Sequence, residues 1–338
     1  MTAPLRLRLD SAALVSNWRH LAKLSGTAAC GAAIKANGYG LGSRGVATRL
    51  AEAGCRDFFV ATWAEAEALA DLGLAVSVLH GLRAEDPIDA DYARPVLSSA
   101  EQVARWKPSG RPCDVMVDTG MNRLGVSAEE VGAGLLDGLA IETLMSHLVS
   151  ADEDVPLNAR QLAAFGALKG KAGAKRMSLA NSAGIALGTD YAFDLTRPGI
   201  ALYGGRQRAA HDAIRQVVTP EAQILQRRLV RAGDSVGYNA TWTAPADTEV
   251  AILNLGYADG YLRCFSGKGS AHAEGVTLPL IGRVSMDLTA VDVTALPGLR
   301  EGDWLAMAYA LPETAALSGL SQYELLTGLG PRYDRRWG

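Results

Sequence analysis

Eight short β-prone segments recur between Cys30 and Arg197: CGAAI, DFFVA, VSVLH, PVLS, DVMVD, IETLM, MSLA and FDLTR. Each is separated from the next by an Ala- and Glu-rich stretch of helical character. This alternation constrains the fold more than any other feature, because strands joined by crossover helices pair in parallel and have both faces covered. Eight such strands suit a closed barrel of about 200 residues, whereas an open doubly wound sheet ordinarily stops near six. The expected fold is therefore α/β, opening with an N-terminal (β/α)8 TIM-type barrel.

After Tyr203 the texture changes. RQRAAHDAIRQVVTP is polar and ends in Pro220, and EVAILNLG, VTLPLIG, MDLTAVDV and DWLAMAYA then follow with Gly, Pro and Asp between them and little helical periodicity. Such segments predict a C-terminal, mostly β domain. A chain of 338 residues also exceeds what one core usually organises. We place the barrel at residues 1–213 and the β-domain at 214–338, with the first few residues able to pair with the β-domain.

Some function classes are excluded early. The net charge is −3 and there is no run of five basic residues, which leaves no footprint for nucleic acid. No apolar run approaches the roughly 20 residues of a membrane span, and MTAPLRLRLD lacks the apolar stretch of a secretory signal, so a cytoplasmic protein is expected. Cys30, Cys55, Cys113 and Cys264 are scattered, with neither a CxxC pair nor a nearby His at metal spacing, and are expected to be reduced, with no metal site.

The segment AAIKANGYGLG, residues 32–42, places Lys35 at the C-terminal end of the first strand, followed by Gly38, Gly40 and Gly42. That rim is where TIM barrels gather catalytic side chains, and the glycines allow a backbone to approach a ligand closely. Alone, a surface lysine before a flexible turn explains the segment equally well. Six further segments follow it: VDTGMNRLGV, LANSAG, DLTRPGIALYG, VGYNATWTA, LGYADGY and GRVSMD. In content and order these seven motifs, spanning residues 32–287, resemble those of alanine racemases, whose barrel and β-domain agree with the texture above.

The resemblance implies a pyridoxal phosphate (PLP) enzyme that interconverts L- and D-alanine, with the cofactor carried by Lys35 as a Schiff base. It implies a two-base reaction, Lys35 handling the α-proton of the D enantiomer and Tyr238, from the partner subunit of a homodimer, that of the L enantiomer. His147, ending the sixth strand, is the candidate for tuning Tyr238. Arg197 falls against the pyridine nitrogen, its alternative being a rim salt bridge. Tyr39, Asn181, Ser182, Gly199, Ile200 and, near the C-terminus, Tyr333 fall around the cofactor, with Gly199 and Ile200 offering backbone N–H groups to the phosphate and Ser182 its hydroxyl. Serine is also a common helix N-cap. Arg123 is placed on the substrate carboxylate, Met286 is expected to offer its backbone N–H from the other chain, and Tyr257, Met286 and Trp63 narrow the site. The biological role implied is supply of D-alanine for peptidoglycan.

One departure from the family pattern is clear. Many members carry a lysine, carbamylated, two residues before the Asp of DTGM, where this chain has Met116, so Arg123 needs another support or goes without. The alternatives are a racemase for serine or another amino acid and, from a different class, a non-catalytic PLP-binding barrel, against which the VGYNATWTA and GRVSMD segments argue.

Overall fold

The computed structural model describes residues 3–338 and divides into two compact units, Ala13–Arg215 and residues 3–12 with Gln216–Gly338.

The first unit is the expected barrel. Each of the eight β-prone segments carries a strand. Ala32–Ala33, Asp57–Val60, Ala75–Val78, Arg94–Leu97, Pro112–Met116, Ala140–Met145 and Arg176–Ser178 pair in parallel in that order. The eighth, Leu195–Thr196, pairs with Ala29–Cys30 just ahead of the first, while Asp194 N–H donates to the Met177 carbonyl at 3.0 Å, so the ring closes. Strands such as Asp57–Val60 are buried at every position, as expected where helices cover the outside. Short helices are started by side-chain caps, with Thr62–Glu65 and Ser127–Glu130 each forming a reciprocal capping box.

The two ends of the barrel differ in chemistry. Near the strand starts the polar groups satisfy one another: Arg176 donates to Asp57 at 2.6 Å, and Arg94 and Ser77 donate to Asp114 at 2.8 and 2.6 Å. At the strand ends lie Lys35, His147, Ser182 and Arg197, so the catalytic candidates occupy the rim where this architecture builds its sites.

The second unit is an eight-stranded sheet in the order Thr248–Leu253, Thr289–Asp292, Val276–Ile281, Ser270–Ala273, Trp304–Met307, Val218–Val230, Leu5–Leu9 and Asp334–Trp337. Thr248–Leu253 also pairs with Val218–Val230, which closes most of the sheet on itself. Val218–Val230 achieves this by a register shift between Ile224 and Gln226: its first half pairs with Leu5–Leu9 and Trp304–Met307, its second with Thr248–Leu253. Leu5, Leu7 and Leu9 alternate into the core while Arg6 and Arg8 bond Glu221 at 2.5 and 2.9 Å. Two helices, Leu311–Ser318 and Gln322–Thr327, interrupt what the sequence suggested was strand after strand.

Candidate active site

Lys35 is followed at once by backbone of the wrong hand. Ala36, Asn37, Gly38 and Tyr39 have φ of 52, 53, 64 and 54°, a left-handed turn in which three of four residues carry a side chain. Each such residue costs roughly 1–2 kcal/mol, so the turn persists only because its surroundings hold it. Asn37 Oδ1 accepts the Ser43 N–H at 3.0 Å, Gly38 N–H donates to the Ile34 carbonyl at 2.8 Å, and the Tyr39 ring stacks on Tyr203 with centroids 4.6 Å apart. Tyr203 is itself pinned by its hydroxyl, which donates to the Ala33 carbonyl at 2.8 Å.

Lys35 is half-buried and its amine has no hydrogen-bond partner among the described residues. Burial pushes its pKa below the ordinary lysine range and the positive charge of Arg123 adds to this, while Glu65 opposes them. His147 is pushed to about 3 by burial and then by the charges of Arg197, Arg123 and Lys35. Its imidazole is therefore neutral at working pH, and these four side chains share one electrostatic neighbourhood.

Arg197 is not a rim ion pair. Its side chain is buried, with one terminal nitrogen donating to Ser178 Oγ and the other to the Ser146 carbonyl at 2.5 Å, and neither bond uses Nε. Burial draws its pKa down to about 10, with Asp114 opposing, so the guanidinium keeps its charge at neutral pH.

The expected phosphate cradle is assembled differently from the sequence expectation. Asn181, not Ser182, caps the short helix Ser182–Ile185, its Oδ1 accepting the Gly184 N–H at 2.8 Å. Ser182 Oγ accepts the N–H groups of Gly199 and Ala201 at 2.9 and 3.2 Å, which leaves its own proton to donate. The Gly199 N–H and the Ser182 hydroxyl thus lie side by side at this loop. What Gly199 contributes is space, since a Cβ there would meet the Tyr39 hydroxyl at 2.2 Å. Ile200 opens a 3-10 turn, where its N–H has no acceptor within the turn.

Arg123 is exposed and among the described residues has no hydrogen bond or ion pair, while Met116 is buried in strand Pro112–Met116. The loop carrying Arg123 is held through its backbone instead. Asp118 Oδ1 accepts from Gly120 and Met121 at 2.8 and 2.9 Å, and a Cβ at Gly125 would meet Asp118 N at 2.4 Å. Trp63 is buried, donating its indole N–H to the Gly81 carbonyl at 2.9 Å.

In the second unit Tyr257 and Met286 are brought together. Tyr257 N–H donates to the Ser285 carbonyl and Ala258 N–H to the Met286 carbonyl, both at 3.0 Å, and Arg332 ties the two loops by bonding Asp259 and Asp287 at 2.6 and 2.7 Å. Tyr238 follows Gly237 (φ 82°) in a 3-10 turn and is 64% exposed, and Met286 is 54% exposed. Tyr333 lies deep in this unit, its hydroxyl buried without a hydrogen-bond partner and influenced by Tyr309, Asp259 and Tyr261. A ligand oxygen would have to enter the core of the unit to meet it.

Two family models match, the alanine racemase N-terminal domain over residues 9–207 and the alanine racemase C-terminal domain over residues 217–337. The chain belongs to the alanine racemase family. An alanine racemase of Methylobacterium nodulans is 43% identical over 98% of this chain and 95% of its own length. The biosynthetic and catabolic alanine racemases of Agrobacterium fabrum are 40% and 41% identical, over 99% and 98% of this chain and 94% and 91% of their own. The crystal structure of alanine racemase from Bartonella henselae with covalently bound pyridoxal phosphate superposes with a TM-score of 0.90 at 34% identity, covering both chains completely.

Within this alanine racemase fold several supporting residues were not foreseen. His211 is fully buried; its Nδ1 accepts the Gln207 N–H at 3.2 Å, so its Nε2 donates to the Ser182 carbonyl at 3.1 Å and holds the cradle from behind. Ser146 and Ser178 seat Arg197. Glu65 reaches the backbone beside Lys35. No local pattern marks these residues, because each acts on a partner 19 to 51 positions away.

Proposed function

We propose that this protein interconverts L- and D-alanine using PLP carried on Lys35, with Tyr238 of a second copy as the opposing base. The observation that carries the proposal is the convergence at one barrel rim of a lysine of lowered pKa, a buried arginine with Nε outside its internal bonds, and a hydroxyl whose proton is left to donate.

The donor set fits the cofactor. Ser182 and the Ile200 N–H suit the phosphate, Gly199 leaves room for Tyr39 beside it, and Arg197 Nε suits the pyridine nitrogen. When bound, PLP withdraws electrons from Cα of an attached amino acid and makes its hydrogen acidic. Everything else falls to the side chains. Lys35, its pKa lowered by burial and Arg123, takes or returns the α-proton of D-alanine, and Tyr238 does so for L-alanine. Arg197, charged at working pH, donates a hydrogen bond to the ring nitrogen without surrendering a proton, which keeps the ring a weak electron sink. His147 stays neutral, so toward Tyr238 it serves through hydrogen bonding rather than charge. Arg123 clamps the substrate carboxylate, and Met286 and Tyr257, held side by side, narrow the site.

A homodimer with shared sites is supported by the exposure of Tyr238 and Met286, two large side chains with work to do that their own unit leaves uncovered. Cytoplasmic location is supported by the buried free thiols of Cys30, Cys55 and Cys113, which suit a reducing compartment. Supply of D-alanine to peptidoglycan is the role such a product would serve.

Borohydride reduction followed by peptide mapping, with D-alanine formation followed in parallel, tests the whole. A pyridoxyl group on Lys35 and D-alanine from L-alanine are expected; a label on another lysine overturns the central assignment.

A further inference from the structure

We propose that Glu65 is the positioning residue that aims Lys35, by clamping the first residue of the left-handed turn to the end of the neighbouring strand. This rests on the assignment of Lys35 above.

Glu65 belongs to helix Trp63–Glu67, which follows strand Asp57–Val60. One carboxylate oxygen accepts the Ala36 N–H at 2.7 Å, and the other accepts the Ala61 and Thr62 N–H groups at 2.7 and 3.3 Å. Thr62 Oγ1 in turn accepts the Glu65 N–H at 3.3 Å. The carboxylate is thus fixed on its own helix before it reaches Ala36. The turn's hydrogen bonds with Ser43, Ile34, Ala36 and Asn37 come from within ten positions, and its far end packs Tyr39 on Tyr203, whereas at its start Glu65 brings in the end of the next barrel strand, 29 positions away. It grips the peptide joined directly to Lys35, at the point where the backbone changes hand.

The residue type is specific. A capping box is satisfied by Glu or Gln, since only one side-chain oxygen need accept. Here both oxygens accept from backbone N–H groups on opposite sides, and a Gln would turn an NH2 toward one of them. Asp keeps both oxygens but is one methylene short. Glu65 also sets a negative charge near Lys35 against the positive charge of Arg123.

The experiment compares wild type with Glu65→Gln, Glu65→Asp and Thr62→Ala as holoenzymes. Amide hydrogen exchange is read by mass spectrometry over residues 35–41, and pyridoxyl labelling at Lys35, kcat and KM for alanine are measured alongside. Loss of a charged hydrogen bond predicts exchange over residues 35–41 faster by on the order of tenfold in Glu65→Gln, with kcat falling by a similar factor at little-changed KM. Glu65→Asp should fall between, and carries the test if Glu65→Gln does not fold. Thr62→Ala removes the cap but not the clamp, so its turn should exchange as in wild type. Unchanged exchange and kcat in both Glu65 variants, or equal effects in Thr62→Ala, would overturn the proposal. A wild-type label away from Lys35 would instead defeat the functional assignment, while the exchange data still read the clamp.

Discussion

Lys35, Arg123 and Arg197 put three positive charges around His147, and only a neutral imidazole tolerates that company. Its pKa near 3 means the ring should show no titration between pH 8 and 5 in a proton–carbon NMR correlation, whereas an ordinary histidine passes its midpoint near 6.5. A midpoint within that window would mean that His147 can carry charge in the site. The sign for stability follows: the unfolded chain binds the proton below about pH 6.5 and the native chain does not, so His147 makes the fold less stable as pH falls from there toward about 3. For catalysis, Tyr238→Phe should slow proton removal from L-alanine by about 10²–10⁴-fold, the range of a positioned general base, and the label on Lys35 should persist. Residues of the proposed site could be named from the sequence because they sit in compact motifs. Ser178, His211 and Glu65 could not, because they hold those residues from distant strands and loops and leave no local trace.

Among the elements, the left-handed turn is the most exposed to substitution. At Gly38 a Cβ would lie 3.0 Å from the backbone of Ser43 in a residue with φ of +64°. Gly38→Ala should therefore destabilise the barrel by about 1–2 kcal/mol, measurable by thermal denaturation, with labelling of Lys35 reduced. Gly256 plays the matching part in the second unit, where a Cβ would meet the Met286 carbonyl at 2.3 Å. Gly256→Ala should part the loops of Tyr257 and Met286 and lower stability by about 1–3 kcal/mol, with activity lost beyond what the stability change explains. The barrel strands were legible through length and alternation with helices. Val218–Val230 was not: Pro220 and the Gln226–Arg228 run argue against a strand, yet Pro220 lies at the pairing with Leu7 and the charged run lies beyond the bulge on a largely exposed stretch. The helix Leu311–Ser318, although alanine-rich and opened by Pro312 in its first turn, was hidden by its weak amphipathic periodicity.

At the scale of the whole molecule, mixed subunits give the sharpest test of shared sites. On the proposed shared sites, Lys35→Ala and Tyr238→Phe chains should each be defective, but a mixed dimer should hold one site that unites the intact lysine of one chain with the intact tyrosine of the other. Random pairing of equal amounts makes about half the dimers mixed, with one good site in two, so about a quarter of wild-type activity should return. No recovery on mixing and refolding would place both bases in the same chain. The broad division into a barrel and a mostly β unit was legible from texture alone. The way the chain serves the second unit was less so, because pairing partners more than 200 positions apart leave no periodic mark. Leu5–Leu9 lies between Val218–Val230 and Asp334–Trp337, hydrogen-bonded to both. During synthesis this strand emerges ahead of the barrel, and both of its neighbours emerge after it. The nascent chain must therefore carry three unpartnered leucines through the making of the entire barrel, a long interval in which a chaperone or a neighbouring chain could claim that edge first.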